Sequence, residues 1–192
     1  MRKHIIPPSG QGTSSADDQG WLDVENLAQV ELTSEDAAHL IESALVPNSG
    51  SGWRAQQPGE QTIRLLFDKP LRISRIHLVF QEDERERTQE FVLRWSPDPG
   101  GSGREIVRQQ YNFSPPDVTC EREDYVVELD GLRMLELVIT PDISGGETRA
   151  SLAQLGLDVV RLHLAAALAD DQRRDARDVG GGHAGALGPV VV

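Results

Sequence analysis

The sequence predicts an all-β fold, a jelly-roll β-sandwich built from short antiparallel strands. Three observations carry that prediction. Ile63, Leu65 and Phe67 alternate with Thr62, Arg64 and Asp68, and Ile76, Leu78 and Phe80 alternate with Arg75 and His77. Period-two alternation of this kind marks strands with one buried face. Further alternating runs recur along the chain between clusters of Gly, Pro, Asn, Asp and Ser, the spacing expected of a sandwich. Within the expected sandwich only one short stretch has helical spacing.

Taken in order, residues 1–20 are rich in Ser, Gly, Pro, Gln and Asp and read as a flexible arm. The sandwich is expected over 21–157, opened by Trp21, Leu22, Val24 and Leu27 packing back on it. Residues 28–33 alternate and form the first strand. Ser34, Glu35 and Asp36 give a helix-start signal with acidic residues in the first turn. Leu40, Ile41, Ala44 and Leu45 then recur at helical spacing, predicting one or two turns before Pro47. Trp53 leads into the two alternating runs described above, with Lys69-Pro70 expected as the corner between two strands.

Residues 81–89 read as a solvated loop or strand extension. Their mixed-sign run from Glu82 to Arg87 is expected to hold local pairs worth about 0–1 kcal/mol each. Phe91, Leu93 and Trp95 form the inward face of the next strand, and 96–103 supplies the Pro and Gly that turns need. A strand over 106–113 ends at Ser114-Pro115-Pro116. Tyr125, Val127 and Leu129 alternate, Asp130-Gly131 is expected to turn the chain, and Leu135, Leu137 and Ile139 alternate again. After a loop over 141–146, residues 151–157 make a closing strand. Composition then shifts to Ala, Arg, Asp, Gly and Val, so 158–192 read as a tail outside the sandwich.

The chain has 192 residues, enough for one well-buried domain with tails. Its formal net charge of −12 disfavours nucleic acid, which is bound by basic patches that release counterions, and disfavours acidic membranes likewise. Cys120 is the only cysteine, so no intrachain disulfide forms, which fits a reducing compartment. The start of the chain has no apolar h-region, and the expected location is cytoplasmic.

The strand ending at Thr33, the turn through Ile41 and Leu45, Gly52-Trp53, the TIRLLFDKPLRISRIHLVF pair, FVLRWSPD and the late MLELVI strand together resemble one known family. It is the discoidin family, or coagulation factor 5/8 type C domain, among the galactose-binding-domain-like jelly rolls. The resemblance covers about residues 21–157. It implies a non-catalytic module whose loops at one end of the sandwich bind sugars, lipid head groups or proteins. Many members hold a structural calcium through an Asp-Gly-rich loop before the tryptophan and a carboxylate on the last strand. Here 46–51 has no aspartate and Gln154 stands where the glutamate is expected, so no metal or cofactor is expected. Trp53-Arg54-Ala55, Gly59-Glu60 and Thr62-Ile63 are also similar to the N-terminal domain of the single-strand-break repair scaffold, an intracellular docking module.

Candidate ligand-binding residues are Trp53, Arg54, Arg85 and Asp142. An aromatic face stacks on a pyranose, so Trp53 is either a sugar platform or a plug at the end of the sandwich. Arg54 offers a forked donor pair to hydroxyls or a carboxylate, or else a surface ion pair. Arg85 belongs to the polar 82–87 run. Asp142, with Gly145, Gly146 and Arg149 nearby, either lines the same end or closes an ordinary turn. No catalytic residue is expected. The five histidines lie far apart without metal-ligand spacing, no nucleophile elbow, P-loop or Rossmann fingerprint occurs, and the acidic neighbours of Cys120 disfavour a thiolate. The expected partner is a carbohydrate, with protein docking as the alternative.

Overall fold

A computed structural model describes residues 21–47 and 50–159, so the expected arm at 1–20 and all but the start of the 158–192 tail lie outside the described residues. The elements are α1 (Val24–Leu27), β1 (Ala28–Leu32), α2 (Glu42–Leu45), β2 (Trp53–Pro58), β3 (Gln61–Gln81), β4 (Arg87–Ser96), β5 (Arg104–Phe113), β6 (Cys120–Thr140), β7 (Arg149–Leu152) and β8 (Gln154–Val159). The fold is the predicted antiparallel β-sandwich.

The two alternating runs around Lys69-Pro70 are not separate paired strands. They are one strand, β3, and both halves pair with the equally long β6. The register skips from Leu66↔Met134 to Leu71↔Leu132, so β3 carries the surplus residues at the corner. Gly131, at φ +82, faces this point across the ladder. The two expected turns are therefore one feature, a fold at which both strands pass together from one layer to the other. Arg133 occupies the corner, its Nε donating to the Phe67 carbonyl at 3.4 Å and Nη2 to that of Asp68 at 3.3 Å.

Before the corner, β3 lies between β1 and the second half of β6, with β4 and β5 beyond. After it, β3 lies between β8 and the first half of β6. Aromatic rings join the layers: Phe80 of β3 meets Phe91 of β4 at 5.3 Å and Tyr111 of β5 at 5.6 Å, and Tyr125 of β6 reaches Phe91 at 6.4 Å. Tilted pairs at such separations add to the burial of apolar area. The apolar sets expected from alternation on β3, β4 and β6 all join this core.

The expected helical turn forms as α2, four residues ending ahead of Pro47. Ser34 does not cap it, because its hydroxyl donates to Gln61 Oε1 at 2.7 Å. Glu35 reaches the helix instead, accepting from the Ile41 N–H at 2.7 Å and satisfying an amide ahead of α2. The closing strand also divides. β7 pairs with β2, and after Ala153 the chain crosses to β3 as β8, which runs two residues past the expected boundary at 157.

Candidate ligand-binding cleft

The two-stranded β2–β7 sheet sets the site. Register partners Trp53↔Leu152 and Arg54↔Ser151 fix the start of β2, and the pairing then slips before Pro58↔Arg149. Side chains alternate along β2: Trp53 and Ala55 are buried, and Arg54 between them faces out. The Arg54 backbone is held on both sides, its N–H donating to the His39 carbonyl at 3.2 Å and its carbonyl accepting from Asp36 N–H at 2.9 Å.

Arg54 opens onto a cleft of about 400 Å³ that it lines with Pro58, Glu82, Glu84, Arg85, Glu147, Thr148 and Arg149. One wall is the 82–87 segment, and its shape comes from a buried ion pair. Arg87 Nε lies 3.2 Å from Glu82 Oε2. The other Glu82 oxygen accepts the amides of Glu84 and Arg85 at 2.8 and 3.1 Å, which curls the segment around the carboxylate. Arg87 also donates to the Arg149 carbonyl at 3.0 Å and lies over the Phe113 ring at 5.6 Å. The wall is thereby tied to β7. Burial pushes the Arg87 pKa down and Glu82 opposes it; a guanidinium stays charged from so high a starting value.

This corrects the expectation of a solvated run at its two ends, since Glu82 and Arg87 are both buried while 83–86 are exposed as expected. The missed signal was periodic. Arg87 and Gln89 extend the inward alternation of Phe91 and Leu93 backward, and all four are buried.

Of the four candidate residues, Arg54 and Arg85 meet in the cleft. Trp53 does not present a face to it, being 1 % exposed and part of the core. The physical reason is elementary: neighbours on a strand point to opposite faces, so Trp53 and Arg54 cannot both line one surface. Asp142 is also outside the lining. Its carboxylate accepts from the amide and hydroxyl of Ser144 at 2.9 and 2.7 Å, and those bonds hold its pKa below the ordinary value. It closes a turn beside the site. Glu84, Glu147, Thr148 and Pro58 are lining residues that alternation alone does not single out.

The position where the resembled family holds calcium does not fit that ion. Gln154 offers a neutral amide and 46–52 contributes no carboxylate. Among the described residues no group of three or more His, Cys, Asp or Glu is placed to hold a metal.

A second polar cluster lies on the sheet face away from the cleft. Glu31, Arg64, Glu136, Arg94 and Glu105 are successive register partners across β1, β3, β6, β4 and β5. Glu136 accepts from Arg64 Nε at 2.7 Å and from Arg94 Nη1 at 3.0 Å. Burial pushes the Glu136 carboxyl up, but these two guanidinium bonds outweigh it and hold the group below its usual range.

No family model and no curated protein sequence matches the chain. Solved structures do. A family 32 carbohydrate-binding module from a family 31 glycoside hydrolase of Clostridium perfringens superposes with a TM-score of 0.53 at 16% identity, over 72% of this chain and 94% of that one. The family 32 module of C. perfringens NanJ, solved in complex with galactose, gives 0.52 at 15% identity, over 72% and 97%. Another C. perfringens module of that family, in complex with GalNAc-β-1,3-galactose, gives 0.53 at 17% identity, over 72% and 99%. The chain therefore has the galactose-binding-like, discoidin-type fold that its strand order resembles.

Proposed function

We propose that this chain is a non-catalytic carbohydrate-binding module whose ligand enters the cleft between β2–β7 and the 82–87 segment. The observation that carries the reading is convergence: Arg54, Arg85, Glu84, Glu147 and Arg149 line one concavity. Sugar hydroxyls come in adjacent pairs, and forked guanidinium donors with carboxylate acceptors match them. The neighbours in complex with galactose and GalNAc-β-1,3-galactose share the fold and support a sugar as ligand. Their being binding modules supports a role without catalysis, though fold likeness alone assigns no ligand. The lone Cys120, exposed and unpaired, supports a reducing location.

Thermal unfolding of the purified chain against a panel of neutral and acidic oligosaccharides tests the reading. A ligand at about 100 times its Kd adds roughly 2.7 kcal/mol, enough to raise Tm by several degrees. The expected result is a rise that disappears in Arg54→Ala/Arg85→Ala. A rise that survives the double substitution places the ligand elsewhere, and no rise with any sugar rejects the reading in favour of protein docking.

A further inference from the structure

The cleft differs from a sugar platform in a way that narrows its ligand. Among the described residues none that lines it is aromatic, and Trp53, the neighbour of Arg54 in sequence, is buried in the core. Stacking on a pyranose is therefore not available as the main attraction, and selectivity falls to charge-assisted hydrogen bonds, roughly twice as strong as neutral ones.

The charges themselves are unequally satisfied. Glu82 is spent on Arg87 and on two backbone amides. Arg149 approaches Asp36 at 3.7 Å. Glu84, Arg85 and Glu147 are exposed, where water solvates a charge at little cost. Arg54 is half-buried, and among the described residues no carboxylate lies within ion-pair distance of it. The buried Arg87 guanidinium, by contrast, is already held by Glu82 and the Arg149 carbonyl. A half-buried cation without a counter-charge is relieved by an anion, and the open side of Arg54 is the cleft.

We propose that the cleft selects carboxylated sugars, a uronic acid residue whose carboxylate is received by Arg54, with Arg85 closing over it and Glu84 and Glu147 taking ring hydroxyls. The inference rests on the carbohydrate-binding reading and deepens it. A carboxylate matches the planar guanidinium fork in a way that a single hydroxyl does not. Salt weakens such a contact, less strongly than it would a fully exposed pair.

The test is isothermal titration of the full chain with oligogalacturonate, oligomannuronate and oligoglucuronate, each beside its carboxyl-reduced neutral counterpart. The expected result is at least tenfold tighter binding of one acid form than of its reduced counterpart, with affinity falling as NaCl rises. Arg54→Met removes that preference and Arg54→Lys restores part of it, while Trp fluorescence of both variants stays native. Equal or tighter binding of a reduced form overturns the inference and leaves the carbohydrate-binding reading standing. Binding by neither form of any pair, with a neutral galactoside also silent, overturns both.

Discussion

Arg87 and Glu82 form an ion pair at 3.2 Å with side chains only 1% and 8% exposed, at the foot of the candidate cleft. Everything that shapes the 82–87 wall converges on this pair: two amides on Glu82, the Arg149 carbonyl on Arg87, and the Phe113 ring beneath the guanidinium. A buried pair contributes modestly to net stability but is costly to break from one side. That asymmetry makes it a positioning device for the cleft.

Arg87→Met is expected to cost about 3–5 kcal/mol, because it leaves Glu82 buried without its counter-charge. The double variant Glu82→Gln/Arg87→Met is expected to recover part of that loss. Urea unfolding of the singles and the double gives the coupling directly. Additive losses would mean that the two charges do not depend on each other.

Trp53→Ala is expected to destabilise the fold by about 3–5 kcal/mol, as for a large ring removed from a core. Trp53→Phe is expected to cost much less, since the indole Nε1 has no hydrogen-bond partner among the described residues. Sugar binding by Trp53→Phe should be retained. Loss of binding in a stably folded Trp53→Phe would give the indole a direct role that its burial argues against.

The Glu136 carboxyl has its pKa held below the ordinary value of 4.5 in the folded chain. Its stabilising contribution is therefore fully present above about 4.5 and is lost as pH falls through the folded value. Glu136→Gln leaves Arg64 and Arg94 without their shared carboxylate and is expected to be less stable at pH 7 by about 1–3 kcal/mol. The gap between wild type and variant should narrow below pH 4.5. A gap constant from pH 7 to pH 3 would show that the shift is absent.

Gln89 is fully buried, and neither end of its amide has a partner among the described residues. Its register partner Tyr111 likewise has a buried hydroxyl without one. An unpaired buried amide is a desolvation cost, so Gln89→Leu is expected to raise the unfolding free energy by about 1 kcal/mol. A fall of similar size would mean that the amide is satisfied in solution.

Alternation made most of the sandwich readable in the sequence. The apolar sets of β3, β4 and β6 are the core, because a strand with one buried face leaves a period of two. What alternation does not carry is what a strand does at its breaks. Lys69-Pro70 and Gly131 look like two local turns, and only pairing over 60 residues of sequence makes them one shared corner. Arg87 was hidden for a related reason: it lies in a run of exposed charges, yet belongs to the inward phase of β4. Of the cleft residues, Arg54 is read in the sequence as a forked donor beside the tryptophan and Arg85 only as part of the polar 82–87 run. Treating Trp53 and Arg54 as one surface overlooked the strand period that the core assignment itself used.

The most direct measurement is an amide chemical-shift titration of the isotopically labelled chain with whichever oligosaccharide gives the largest Tm rise. Perturbations are expected to gather at Arg54, Glu84, Arg85, Thr148 and Arg149, with the Glu31–Arg64–Glu136–Arg94 row unmoved. Perturbations confined to that row on the sheet face, or none at saturating sugar, would contradict this expectation.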